Sequence, residues 1–368
     1  MHSGSTPADR TPSNGPSRRG LLLGTAAGGL GLAAPPLVAQ TPETLTVNAY
    51  GGEFQPIFEE TVLRPFEQKF GVRITYDNAG TASEDYARIR ASRGAPGFDV
   101  AAELTPPEIL LGARERLLEP VTESSVPNLR HVWSRSRDMI PPVGIVHSYQ
   151  YTALIWNTQK IEKPDTWRDY WEPGKRYGDM IRQHVINYNP GNLLSIYALI
   201  MAAKLGGGGV DNMEPAWALL RAQKEYVGTV VTTSAQAAPY FENGQVWLSP
   251  YWSARAVFYR DAGYPIDLMV PSDGTIGLAN CAGIPVGARN KRLALEFLNF
   301  RLDRDVQRAF NLAYKTSPAR PDIEWPDDYK AVQLTTEAQM AATDFPDNAV
   351  ISAKRREWTM RWQEIMAG

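Results

Sequence analysis

Between Thr44 and Glu115 the chain alternates strand and helix patterns at short spacing, and this limits the folds open to it. "TLTVNAY" (44–50) alternates and is β-branched, so it reads as a strand. Gly51 and Gly52 break it. The run that follows places Phe54, Ile57, Phe58, Val62, Phe66 and Phe70 at helical spacing. "VRITYDNA" (72–79) reads as a second strand, "ASEDYARIRASR" (82–93) as a short amphipathic helix and "FDVAAEL" (98–104) as a third strand, with "PPEILLGARER" the next helix. A β-α-β-α-β-α order calls for a parallel sheet covered by helices.

A second unit follows. "GIVHSYQYTALIWN" (144–157) is a long, apolar, β-branched run that stops at Asn157. "TWRDYWEPGKRYGDMI" reads as a helix, a turn and the start of a strand, and "HVINYNPG" (184–191) as a strand ending in a turn. "NLLSIYALIMAAKL" is helical, stopped by the glycines from Gly206. "GQVWLSPYW" is a strand and "ARAVFYRDAG" the helix after it. The tail from Tyr329 to Met366 is mostly helical, with Trp358 and Trp362 on one face. At 368 residues the chain suits two domains. Polar connections near 140–150 and 270–280 separate two α/β units of similar size. Open α/β sheets bind ligands at their strand C-terminal ends, and two such ends facing each other make a cleft.

Ahead of these units stands "SRRGLLLGTAAGGLGLAAPPLVAQ". Arg18 and Arg19 precede a short apolar run, Leu21 to Val38, which is diluted by glycine and broken at Pro35 and Pro36. A basic start, a moderate apolar stretch and a small residue at Ala39 read as an export signal of twin-arginine type over residues 1–40, cleaved near residues 39–40. The expectation is a periplasmic protein.

The remaining chemistry is sparse. A net charge of −2 gives no general attraction to nucleic acid. The single cysteine, Cys281, cannot form an internal disulfide. His131, His147 and His184 are widely spaced, and no phosphate loop, nucleophile elbow or zinc motif occurs after the signal. No cofactor, metal or catalytic residue is expected. An exported enzyme remains the alternative of another class.

Several segments in order, "AYGG", "RPFEQKFG", "FDVAAE", "LLEPV", "VPNL", "ALIWNT", "PDTWRDYWEP" and "GIPVGARNKRLALEFLNF", resemble the extracellular solute-binding proteins of ABC importers. The resemblance is to the branch with spermidine/putrescine-binding and ferric-iron-binding members, and it covers nearly the whole chain after the signal. It implies an α/β, two-lobed periplasmic-binding-protein fold with a ligand cleft between lobes. Residues 41–146 and 279–318 would form lobe 1, and 147–278 and 319–368 lobe 2. It also implies a monomer that closes on a small solute and delivers it to a membrane permease and its ATPase.

Strand ends nominate the cleft residues: Tyr50, Gly51, Glu103 and Thr105 from the first lobe, Tyr149 and Asn280 near the crossings, and Asn189, Trp252 and Arg255 from the second. Gly51 serves equally as a plain turn residue. Trp252 could pack its own lobe, and Arg255 could pair with Glu242 or Asp261. A polyamine site would want acids where "NPGN" and "GLANC" stand, and Glu103 is the one acid well placed. Ferric-binding relatives use adjacent tyrosines where this chain has Tyr251-Trp252, and indole does not ligate iron. The residues suit a small organic amine or amino-acid-like solute, with an iron or iron-chelate binder as the alternative within the fold.

Overall fold

The computed structural model describes residues 42–52, 54–78 and 81–368. The expected export signal lies outside them. Among the described helices none is long and apolar enough to cross a membrane.

The strands are β1 (Thr44–Ala49), β2 (Arg73–Asn78), β3 (Val100–Leu104), β4 (Gly144–Asn157), β5 (Val185–Tyr188), β6 (Val227–Val231), β7 (Leu248–Trp252), β8 (Ile266–Met269), β9 (Thr275–Gly283), β10 (Ser317–Pro318) and β11 (Thr343–Asp344). Their main order is β2-β1-β3-β9-β4-β7-β5-β6. β2, β1 and β3 pair in parallel, as the β-α-β spacing demands. β4 and β9 run antiparallel from Gly144↔Gly283 to Tyr151↔Gly277 and belong to both halves of the sheet. Beyond that point β4 continues between β7 and β8, and β5 and β6 extend the sheet from β7. The result is two α/β lobes joined by crossing strands.

Helices cover both lobes. In the first, α1 (Phe54–Phe58) passes through a π-turn (Glu59–Leu63) into α2 (Arg64–Phe70), followed by α3 (Ala82–Ala91), α4 (Pro106–Glu115) and α5 (Ser134–Asp138). In the second come α6 (Trp167–Trp171), α7 (Pro173–Tyr177), α8 (Leu193–Leu205), α9 (Glu214–Gln223), α10 (Ser234–Glu242) and α11 (Ser253–Asp261). The chain then forms α12 (Lys291–Arg301), α13 (Arg304–Tyr314), α14 (Asp327–Lys330), α15 (Glu337–Ala342) and α16 (Asn348–Ala367). The segment expected to start a strand after Tyr177 is instead a 3₁₀ turn, Gly178–Ile181. Pro173 opens α7 at its first turn and Gly178, at φ 66°, ends it, so the strand waits until Val185.

Alternation along β4 sorts the cores. Tyr149, Tyr151, Ala153 and Ile155 enter one core, while Leu154 and Trp156 enter another with Trp167, Trp171 and Trp217. Trp358 and Trp362 of α16 join the second of these, as their i, i+4 spacing anticipates. The first lobe packs rings: Phe58 and Phe310 lie 6.2 Å apart, Phe66 and Phe297 5.2 Å apart. The Arg301 guanidinium rests 3.8 Å from the Phe310 ring centroid and 4.9 Å from that of Phe58.

Phe310→Ala should therefore cost about 3–5 kcal/mol, through a cavity and an uncovered guanidinium. Urea unfolding reads this directly. A loss below about 1 kcal/mol would show that the ring cluster does not hold this lobe.

Candidate functional site

The parallel strands of each lobe end at the crossing of β4 and β9. From the first lobe come Tyr50, just past β1, and Thr105, just past β3; from the second come Asn189 past β5 and Trp252 at the end of β7. Register pairs Ser148 with Asn280, Gln150 with Leu278 and Thr152 with Trp252. Paired residues share a face, so these six side chains line one side of the crossing. Trp252 is half-buried and meets Tyr197 edge-on at 5.9 Å. Asn280 is nearly buried and its Nδ2 donates to Ser148 Oγ at 2.9 Å.

Aromatic rings link the lobes at the other end. Tyr50 meets Phe54 at 5.7 Å, Phe54 meets Tyr314 at 5.1 Å, and Tyr314 meets Phe258 of α11 at 6.4 Å. Beside them Lys315 Nζ pairs with Asp261 at 3.2 Å. Asp261 also meets Arg260 at 3.1 Å. Arg255 is exposed in the first turn of α11, near Tyr251. Burial, then the charge of Glu103, raises the Tyr50 phenol well above its ordinary value. A Cβ at Gly51 would lie 2.5 Å from Nδ2 of Asn78, an exposed side chain that can turn aside.

Two of the nominated residues face inward. Glu103 is buried, and its Oε1 lies 3.2 Å from Arg301 Nη2 and 3.5 Å from His147 Nε2. β3 alternates like any strand, and position 103 faces the α12–α13 side, where Arg301 takes the charge. Tyr149 is fully buried, its hydroxyl 2.5 Å from Ser136 Oγ and its ring against Phe345. Tyr149 presents no free polar atom to a solute, and the contacts of Glu103 with Arg301 and His147 run through Oε1. Asn189 is half-buried and spends its Oδ1 on Gly191 N–H at 2.8 Å. Thr105 gives its N–H and hydroxyl to Glu108. Asn192 caps α8.

The Glu103 network is highly buried. His147 Nε2 lies 3.1 Å from the Ala102 carbonyl, and Arg301 Nη2 lies 3.2 Å from His147 Nδ1. Burial and then the Arg301 charge hold His147 below its ordinary value, so it is neutral; Nε2–H donates to Ala102 and Nδ1 accepts from Arg301. Burial pushes Glu103 up to about 8 against the pull of Arg301. Gln307 Nε2 ties the cluster together, donating to the carbonyls of His147 and Arg301.

A cavity of about 600 Å³ opens along the edge of β9. β3 leaves that edge at Cys281 and β11 joins it only at Ile276, so Gly277–Asn280 have no strand beyond them there. One wall is α4, with Pro106, Pro107, Leu110, Leu111 and Arg114; the other is Phe345–Asp347 and the start of α16. None of the nominated residues lines it, although Thr105 and Asn280 adjoin residues that do.

Two helix-covered lobes meet at crossing strands, with the parallel strands of each ending at that crossing. A family model described as bacterial extracellular solute-binding protein matches residues 61–338, and the chain belongs to that family. It is 24% identical over 311 residues to the spermidine/putrescine-binding periplasmic protein of Escherichia coli K12, covering 81% of this chain and 82% of that one. It is 23% identical over 308 residues to a γ-aminobutyric acid-binding protein of Pseudomonas aeruginosa, covering 76% and 78%. A crystal structure of an extracellular solute-binding protein from Bordetella parapertussis superposes with a TM-score of 0.76 at 22% identity, over 88% of this chain and 99% of that one.

Glu103 holds its proton more tightly in the folded chain than in the unfolded one. Its contribution is fully present below its ordinary value near 4.5 and is lost as pH rises through about 8. Between pH 5 and 8 the native protein should therefore lose on the order of 1–3 kcal/mol relative to Glu103→Gln. Parallel urea-stability profiles of the two proteins would remove Glu103 from this role.

Proposed function

We propose that this protein is the periplasmic substrate-binding component of an ABC importer. It captures a small organic amine or amino-acid-like solute by closing its two lobes, then hands it to a membrane permease served by an ATPase. The observation that carries this is the meeting of both sets of strand ends at one crossing beside a cavity of about 600 Å³. The names of the relatives, polyamine-binding in one case and γ-aminobutyrate-binding in the other, support the amine class. They give no support to an iron-binding alternative, and Tyr251, the one tyrosine where a pair would serve iron, is fully buried beside Phe241.

In this reading the lobes are residues 41–146 with 279–318 and 147–278 with 319–368. Trp252, Asn280, Tyr50, Gly51 and Thr105 form the cleft surface, with Asn189 and Arg255 on its second-lobe rim. Glu103 and Tyr149 support that surface from behind. The ion pair of Lys315 with Asp261 joins the two lobes. Residues 1–40 act as a twin-arginine-type export signal, and the exported protein works as a monomer.

A thermal-shift screen against putrescine, spermidine, γ-aminobutyrate, amino acids, organic acids and ferric citrate tests the reading. A solute at a hundred times its Kd should add about 2.7 kcal/mol of stability and remain unconverted. Trp252→Ala should weaken the hit by about 10-fold or more. Consumption of the hit by the protein would make it an enzyme instead, and a response to ferric citrate alone would revive the iron reading.

A further inference from the structure

The ladder of β4 and β9 is irregular between Val146 and Ser148. In a regular strand consecutive side chains point to opposite faces and do not meet. Here they do: Ser148 Oγ lies 3.2 Å from Nδ1 of His147. A bulge re-aims a side chain in this way. Both residues are buried, and the next partner along is Asn280, whose Nδ2 donates to Ser148 Oγ at 2.9 Å.

These bonds have a direction. His147 Nε2 lies 3.1 Å from the Ala102 carbonyl and 3.5 Å from Glu103 Oε1. A carbonyl can only accept, so Nε2 carries the ring proton. The charge of Arg301, whose Nη2 lies 3.2 Å from Nδ1, keeps a second proton off the ring. Nδ1 is therefore an acceptor and gives nothing to Ser148. The serine hydroxyl turns its proton towards Nδ1, alongside Arg301, and keeps its lone pairs for the Asn280 amide group. The fixed acceptor at Ala102 thus sets the direction of each bond out to Asn280. With Nδ2 held from behind, Asn280 turns Oδ1 the other way. Among the described residues Oδ1 accepts no hydrogen bond, and it is not one of the buried polar atoms sealed from solvent.

We propose that Ser148 and His147 are positioning residues that hold the Asn280 amide with its carbonyl oxygen towards the cleft, so that this point of the site accepts an N–H of the solute and rejects a carboxylate. The assignment rests on the solute-binding reading above and adds which end of the solute Asn280 meets. A carboxylate placed there would face another acceptor and lose its bonds to water without replacement. An ammonium would gain a charge-assisted bond. Asn280 shares its face of the crossing with Trp252, whose ring also favours a cation.

Two measurements test it. Long-range ¹H–¹⁵N spectra should show the Nε2–H tautomer of His147, unchanged from about pH 5 to 8. The Asn280 side-chain N–H protons should exchange more slowly than those of exposed Asn243. Ser148→Ala should speed that exchange and Ser148→Thr should keep it slow. An Nδ1–H tautomer, an imidazolium, or Asn280 protons exchanging as fast as those of Asn243 would overturn the arrangement.

Isothermal titration with the four-carbon solutes putrescine, γ-aminobutyrate and succinate reads the consequence. The native protein should bind the tighter of the two amines at least about 10-fold more tightly than succinate. Ser148→Ala should cut that preference below about 3-fold, and Ser148→Thr should retain it. Succinate binding more tightly than both amines, or a preference unchanged in Ser148→Ala, would overturn the proposal and leave the solute-binding reading standing. Silence with both amines, while a solute without an N–H binds in the broader screen, would do the same. Silence across both panels would overturn the solute-binding reading itself.

Discussion

The antiparallel pairing of β4 with β9 is the interaction on which the rest of the structure depends. Each strand is shared by both lobes, and the pairing runs unbroken by any loop from Gly144↔Gly283 to Tyr151↔Gly277 apart from one irregularity near His147. The ladder fixes which side chains face the cavity and which enter the cores. A shift of one residue would exchange the buried polar pair Ser148 and Asn280 with the apolar side chains of the opposite face, Tyr149 among them. The register is therefore held by burial on both faces, and the site inherits that precision.

Beneath the crossing lies the second constraint, the buried cluster of Glu103, Arg301 and His147. Such a cluster is a weak source of net stability, because desolvating its charges offsets much of their attraction. Its specificity is clearer. Arg301 on α12, His147 on β4 and Glu103 on β3 are far apart in sequence, and only one packing of the three elements lets them meet. The stacking of Arg301 on Phe310 and Phe58 adds α13 and α1 to the same arrangement. Ser148 Oγ lies 3.2 Å from His147 Nδ1 and also takes the Asn280 amide, so this packing reaches the floor of the site in two hydrogen bonds.

Much of this was legible in sequence because it is local. The β-branched run of 144–157 gave β4 in full, and the helix cap at Asn192 was readable from its position before "LLSIYALI". Tyr50 follows β1, Trp252 ends β7 and Asn280 lies within β9, all readable from the strand patterns. Glu103 and Tyr149 could not be judged this way. Whether a strand residue faces the cleft or the core depends on the partner elements, and Arg301 lies 198 residues from Glu103.

Charge limits which solutes a site of this kind can hold. A polyamine carries several ammonium groups, each of which loses hydration on burial and needs an acid in return. Two acids near the first-lobe strand ends are engaged within the lobe. Glu103 faces Arg301, and Glu108 accepts from Thr105 and Ser83. Burial raises Asp85 to about 6, so it gives up its proton less readily than an ordinary aspartate.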